Sequence, residues 1–440
     1  MEFPERAFPV RMRRVAIVAL RSRVRDVLVA LARSGVVDLA GPLGAGDGAA
    51  LEALRRMENR GQAGRRTTPV LAPAPPDIER LERTGAGDVL AGEVELERRR
   101  ASAVEHGSFA LFVGWVPVPA HALLSERLAA LGASLLELPP PRGEDPPTLL
   151  APAPAVRPFR PLMDTYGAVP YRDLDPTAFA TVTYCLMFGM MFGDVGDGLL
   201  IVLAALALRQ CRDRRLARIR RAWPMIAAPG AVSILFGLLY GEFFGPTKVL
   251  PTLWLAPLDS PTRLLTVAIA AGGGLLGASH LIGIVNRWRE GGAVAVLTSP
   301  SGLPGLALLI ALALAAVGIT QHAAALTATG LALGAVAVAG LAVGLRLEAG
   351  GGGAASGEVL IGLFDALLRT ASNVFSFSRL AAFGLMHAAI GKVVLDAARG
   401  LTGTPAADVA AGAVFVVGGL IAFALEALVA AVQRAGPTRS

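Results

Sequence analysis

Apolar residues follow two regimes along the chain. Up to about residue 160 they come in short runs, separated by Arg/Glu-rich and Pro-rich stretches. From Ala178 almost to the end they form long, nearly unbroken blocks. The first regime reads as a small soluble fold and the second as a membrane domain. Val15–Leu20 predicts a strand, Ser22 an N-cap for a helix to Arg33, Gly35 its stop, and Val36–Leu39 a second strand. The pattern returns as strand Phe109–Val116, helix Ala120–Leu131, stop Gly132 and strand Ser134–Leu138. These are two βαβ-like units, a small α/β head of one or two lobes. Between them Glu52–Arg60 and Ile78–Ala103 are helical and charged, broken by the Pro-rich linker Thr68–Asp77. Such helices form solvated hairpins or docking arms. Pro139–Pro158 is an extended tether.

A membrane span needs about 20 apolar residues. About eight segments approach this: Ala178–Phe192, Leu199–Leu208, Pro224–Phe244, Leu264–Val285, Gly302–Ile319, Ala323–Leu345, Ala371–Ala398 with an amphipathic lead-in from Val359, and Ala410–Val432. The first two are short and turn at Gly193-Asp-Val-Gly-Asp-Gly198. The fold expected is therefore mainly α. It is a polytopic helix bundle of about eight spans with long tilted C-terminal helices, plus a small α/β N-terminal domain. The division falls at residues 1–160, with 45–105 as a short helical arm, and 161–440.

Composition agrees. The chain is 54% hydrophobic with a mean hydropathy of +0.57, too apolar for a soluble domain of this length. The net charge of +7 raises nucleic acid as a partner, but the positive residues are gathered elsewhere. Arg209, Arg212, Arg214, Arg215, Arg218, Arg220 and Arg221 form a short loop between two apolar blocks, the mark of the cytoplasmic side. No nucleic-acid partner is expected. Arg287–Glu290 and Arg346–Glu358 fall on the same side as this loop and the head, so a multi-pass protein of the cell membrane with both termini cytoplasmic is expected. The first apolar run is too short for a signal peptide. Cys185 and Cys211 form no disulfide framework or metal pattern.

The candidate chemistry lies at membrane depth. Arg379 stands inside the apolar run 373–390. A charge at the bilayer centre costs roughly 2.5–3.5 kcal/mol on insertion scales, so one is kept where water, a carboxylate or an ion path compensates it. The structural alternative is an arginine near a helix end that snorkels to the headgroups. Ser376, Ser378 and His387 share its segment, and Arg379, Phe383 and His387 follow i, i+4, i+8 on one broad face. Asp194 and Asp197 flank the hairpin turn, Glu242 ends the third span, His280 lies in the fourth, and Glu426 and Gln433 share a face in the eighth. For His280, Asp197 and Glu242 a structural hydrogen bond between helices is the preferred reading, and Asp194 stays open between the two. No GxxxxGK[ST] phosphate loop, zinc spacing or nucleophile elbow is present, so no nucleotide, metal or cofactor is expected on this chain. Gly272-Gly-Gly-Leu-Leu-Gly277 matches GxGxxG but lies inside the fourth span, where glycines permit close helix packing.

At these residues the chain resembles the membrane subunit of rotary V-type and archaeal-type ATPases, subunit a or subunit I. The likeness is carried by Tyr166-Gly-Ala-Val-Pro-Tyr-Arg-Asp-Leu-Asp-Pro-Thr177, Phe188-Gly-Met-Met-Phe-Gly-Asp-Val-Gly-Asp-Gly198, Phe236-Gly-Leu-Leu-Tyr-Gly-Glu-Phe-Phe-Gly245 and Ser376-Phe-Ser-Arg-Leu-Ala-Ala-Phe-Gly-Leu-Met-His387, with Gly114-Trp-Val-Pro117 at the end of the head. The resemblance implies a stator subunit that is no enzyme on its own and translocates protons as part of a rotary ATPase. It faces a rotor ring of small subunits, each with a mid-membrane carboxylate, across two offset half-channels. Arg379 then takes the role of the essential cation. His387 and Glu426 line the half-channels, with Ser376, Ser378, Gln433, Arg434 and Asp194 as further path residues. Implied partners are the rotor ring, peripheral-stalk subunits through the head, a central-stalk-associated subunit and the lipid bilayer. Two departures stand out. The family's long coiled coil is mostly missing from the head, leaving residues 45–105, and a second arginine expected ten residues after Glu426 falls on Gly436, with Arg434 two residues early. A scaffold that pumps nothing and a secondary transporter with a midplane site are the competing classes.

Overall fold

The computed structural model describes residues 8–41, 48–60, 68–141, 144–151, 153–164, 169–213, 220–349, 355–401 and 409–419. The chain divides into two compact units, Met1–Ala151 with Val169–Tyr171, and Pro152–Ala168 with Arg172–Ser440.

The first unit is built on one sheet. Its strands are β1 (Met12–Leu20), β2 (Asp38–Leu39), β3 (Val104–His106), β4 (Phe109–Pro117) and β5 (Ser134–Glu137). Their order is β2-β4-β1-β5, with β3 also on β4, and every pairing is antiparallel. The two βαβ-like units therefore do not stand as lobes. They interlock, with β4 inserted between β1 and β2, the split βαβ arrangement. Helices α1 (Val24–Ser34) and α5 (His121–Ala129) lay Val27, Leu28, Leu31, Leu124 and Leu128 on Val15, Ile17 and Phe112 to make the core. Ser22 falls in a 3₁₀ turn, Arg21–Arg23, and does not cap α1. The arm is three helices, α2 (Ala49–Asn59), α3 (Ile78–Thr84) and α4 (Gly87–Ala101). The expected continuous helix 78–103 is split where Gly85 turns left-handed at φ 74°. Asp77 caps α3 by accepting from the Glu79 and Arg80 N–H groups. Arg56 reaches Glu82 at 3.0 Å and, through that hydrogen bond, holds its carboxyl below its ordinary value of 4.5.

The second unit is helical: α6 (Arg160–Asp164), α7 (Thr177–Met191), α8 (Val195–Gln210), α9 (Trp223–Tyr240), α10 (Pro261–Thr298), α11 (Leu303–Thr320), α12 (Ala324–Glu348), α13 (Ala355–Ser376), α14 (Ser378–Arg399) and α15 (Val409–Gly419). Against the expected eight spans, five described stretches are long and apolar enough to cross a membrane: α9, α10, α11, α12, and 357–399, which comprises α13 and α14. The first two expected spans are helices of 15 and 16 residues, and the eighth is described only to Gly419. Exposed Leu235, Ile319, Leu331, Val336 and Phe364 give these helices outward apolar faces, as a bundle in lipid requires. With its several apolar helices the chain is a multi-pass membrane protein. Two features depart from the run of apolar residues. The helix α10 is broken at Gly292 (φ 65°, ψ −151°), a conformation suited to glycine. The expected seventh span is two helices meeting at Phe377.

Candidate functional site

The break at Phe377 sets the first half of the site. No proline or glycine occupies it. The Phe377 ring instead fills the space over Gly272 of α10, where a Cβ would lie 2.0 Å from the ring. At that contact the helical ladder gives way to tight turns, with the Phe377 N–H donating to the Val374 carbonyl and the Leu380 N–H to the Phe377 carbonyl, while Phe377 keeps right-handed helical angles, φ −76° and ψ −15°. Ser378 Oγ donates to the Phe375 carbonyl at 2.7 Å. Arg379 follows in the first turn of α14. It is exposed on the surface of the unit, donates to Ser376 Oγ, and makes no ion pair among the described residues. So one glycine of the GxGxxG run does provide close packing, while Gly273, Gly274 and Gly277 meet nothing within 4 Å.

Eight residues further on, about 12 Å along the helix, lies the second half. Eight helical steps turn about 80° from the starting face. Arg379 is thus exposed while His387 is 6% exposed. The two belong to different environments and not to one shared face. His387 points into a pocket formed by the ends of α7 and α9 and the start of α8. Its ring meets Phe192 edge-on at 6.1 Å. Its Nε2 lies 4.0 Å from Asp194 Oδ2 and 3.8 Å from Asp197 Oδ2. Glu242, 3% exposed, completes the group: one ligand-type atom from each of Asp194, Glu242 and His387 lies within 4.8 Å of the others.

Asp194 is fully buried and holds the pocket together. Its Oδ1 caps α8 by accepting from the Gly196 N–H at 2.7 Å and the Asp197 N–H at 3.1 Å, and also takes the Phe244 N–H at 2.9 Å. Its Oδ2 takes the Gly245 N–H at 2.6 Å. One carboxylate thereby joins a helix start to the turn after α9. In that turn Phe244 sits at φ 49°, rare for a side-chain-bearing residue. Gly245 at φ 90° packs against Gly391 of α14, where a Cβ would come within 2.8 Å of the Gly245 Cα. Ser233 Oγ donates to the Phe192 carbonyl. Among the described residues the Glu242 carboxylate makes no hydrogen bond. A cavity of about 570 Å³, lined by Asp197, Leu200, Phe244, Gly245, His387 and Val394 among others, borders the cluster.

The structure thus brings Asp194 and His387 together and keeps Ser376, Ser378 and Arg379 apart from them at the break. Glu426, Gln433 and Arg434 lie outside the described residues. His280 bonds its own helix, Nδ1 to the Leu276 carbonyl at 2.9 Å, and not a neighbouring one. Glu242 and Asp197, read from sequence as structural, lie in the cluster. A signal for Glu242 exists: Phe192-Gly-Asp194 and Tyr240-Gly-Glu242 are the same aromatic-glycine-acid triplet at two helix ends.

Residues 107–265 match a family model described as the V-type ATPase 116kDa subunit family. The match includes Asp194 and Glu242 and stops before α14. The chain is similar to the A-type ATP synthase subunit I of Archaeoglobus fulgidus, 37% identical over 139 residues, 32% of this chain and 20% of that protein. It is similar to the A-type ATP synthase subunit I of Thermococcus kodakarensis, 27% identical over 309 residues, 65% of this chain and 44% of that protein. It is also similar to the V-type proton ATPase 116 kDa subunit a 3 of Homo sapiens, 31% identical over 119 residues, 25% of this chain and 14% of that protein. The chain spans less than half the length of each of these relatives.

Proposed function

We propose, from the chain's place in the V-type ATPase 116kDa subunit family, that it is the membrane stator subunit of a proton-translocating rotary ATPase, forming half-channels against a rotor ring. The observation that carries this reading is the pairing of an exposed arginine at a helix break with a buried histidine–carboxylate pocket about 12 Å along the same helix. Arg379 has no ion pair among the described residues, so its charge is open to a partner. A ring carboxylate reaching within about 4–6 Å of it is held ionised. A proton then cannot cross directly between the two half-channels and must ride the ring. His387, with Asp197 and Glu242 beside it, relays protons on one side. Glu426, Gln433 and Arg434 are proposed for the same path, and Ser376 and Ser378 line the approach to Arg379. The partners are the rotor ring, peripheral-stalk subunits bound through the sheet-containing unit, and a central-stalk-associated subunit. Both termini face the cytoplasm. The nucleotide chemistry belongs to other subunits.

The test is ATP-driven acidification of reconstituted vesicles, with a pull-down of the ring. Arg379→Ala abolishes acidification while the ring stays bound. Arg379→Lys impairs it severely, because lysine lacks the planar fork and can lose its proton when desolvated. Wild-type acidification in Arg379→Ala overturns the reading and leaves the scaffold or transporter class.

A further inference from the structure

We propose that Asp194, Glu242 and His387 form a binding site for a divalent transition-metal ion of zinc type. The binding rests on the pocket alone. Its consequence, block of proton passage past His387, rests on the function proposed above.

The donor set is one imidazole nitrogen and two carboxylate oxygens, from three separate elements, with atoms within 4.8 Å of one another. Imidazole with carboxylate is a set zinc accepts, and a tetrahedral ion takes ligands at about 2.0–2.1 Å. Those bond lengths require donor atoms about 3.3 Å apart, so the cluster closes by about 1.5 Å at most on binding. Asp197 Oδ2, 3.8 Å from His387 Nε2, stands next to it as a fourth donor.

Each ligand is prepared for this. The four backbone N–H groups on Asp194 hold its carboxyl group in place and aim it, as hydrogen-bonded neighbours orient metal-ligating groups. Oδ2 takes only one of the four, from Gly245, and so keeps a lone pair on the side of His387. Glu242 supplies the independent indication. It is 3% exposed and its carboxylate accepts no hydrogen bond among the described residues. A buried carboxylate in that condition is costly until a proton or a cation reaches it. With His387 neutral, as a metal ligand must be, three carboxyl groups stand beside the imidazole as oxygen donors for a dication. The Glu242 side chain, with no hydrogen bond among the described residues, makes the closing movement. The bordering cavity opens the way to the His387 and Asp197 side. No spacing in the sequence announces the set, because its members come from three elements far apart in the chain.

The experiment titrates the purified full chain in detergent with cobalt(II) chloride, followed by zinc sulfate. The wild-type chain is expected to develop the visible absorption of low-coordinate cobalt, which zinc then displaces. Glu242→Gln, close in shape and neutral, is expected to weaken zinc at least tenfold, and His387→Ala to abolish the cobalt spectrum. Arg379→Ala is expected to bind as wild type does. Zinc-edge X-ray absorption of the wild-type chain needs no variant: one imidazole with oxygen neighbours supports the site, and sulfur neighbours from Cys185 or Cys211 overturn it. A wild-type chain that shows no cobalt spectrum, or equal zinc affinity in wild type and Glu242→Gln, also overturns it. In reconstituted vesicles zinc should slow acidification over the same concentrations at which it binds. Binding without that effect upholds the site and removes His387 from the proton route.

Discussion

Asp194 shows how much one side chain can decide. Its carboxylate gathers four N–H groups from two segments, and hydrogen bonds to a charged acceptor contribute about 1.5–3 kcal/mol each. Asp194→Asn turns an N–H-rich amide nitrogen toward some of those same donors. We expect the variant to lose about 2–4 kcal/mol of stability, by analogy with breaking a buried charged contact. Thermal unfolding of the solubilised chain, followed through the thiol of buried Cys185, measures it. An unchanged midpoint contradicts the anchoring role. From the sequence, Asp194 stood between a structural and a path role, and its acceptor count favours the first. His387 was legible as an ionisable residue in an apolar run. Glu242 carried a signal in its aromatic-glycine-acid triplet, but its burial without a hydrogen bond among the described residues arises only where α8, α9 and α14 meet.

At the scale of elements, apolar run lengths were readable and breaks were not. The runs at Gly302–Ile319 and Ala323–Leu345 correspond closely to α11 and α12, while Leu264–Val285 covers only part of α10, which continues to Thr298. Ser376-Phe-Ser378 contains nothing that stops a helix by propensity. The junction falls where the Phe377 ring packs over Gly272 of α10, over a hundred residues earlier. Gly272→Leu therefore should evict the Phe377 ring and let α13 and α14 straighten into one helix, turning Arg379 away from its present surface. The expected result is a chain that inserts normally but loses most ATP-driven acidification. A leucine variant with wild-type acidification would separate the break from the arginine's role. The strands of the first unit tell a similar story. Their alternation was visible, but which strand pairs with which depends on the register Met12↔Pro117 to Leu20↔Phe109, set by segments nearly a hundred residues apart.

For the molecule as a whole, charge placement makes the topology testable. Arg212 follows α8 and Gln321 lies between α11 and α12, both exposed. In the proposed topology the basic loop faces the cytoplasm, and successive spans alternate from there. In a chain with Cys185 and Cys211 replaced by serine, Arg212→Cys should react with a membrane-impermeant maleimide only from the cytoplasm. Gln321→Cys should react only from the opposite side. Reversed labelling overturns the orientation. Composition changes near residue 160, whereas the chain divides into its two units between 151 and 172. The interlocking of the two βαβ units was not legible, since a parallel and an antiparallel sheet can be written with the same short alternating strands.

The helix α10 also serves as a ruler. Between Arg263 and Asn286 it carries 22 uncharged residues, Leu264–Val285, which rise about 33 Å, the thickness of a bilayer's hydrocarbon within a few ångströms. Arg263 and Asn286 therefore mark its two planes. The Asn286 side chain accepts the Leu174 N–H at 3.0 Å, which pins the approach to α7 at the Asn286 plane. From there residues 174–176 and the 15 residues of α7 together climb roughly 30 Å, so α7 ends near the Arg263 plane, where Met190 packs in one cluster with Leu264. Helix α14 runs antiparallel to α10, with Phe377 over Gly272 and Gly384 beside Leu264. His387, three residues past Gly384, therefore stands close to the Arg263 plane, and the deep part of any route from that side lies between His387 and Arg379 and not above the histidine.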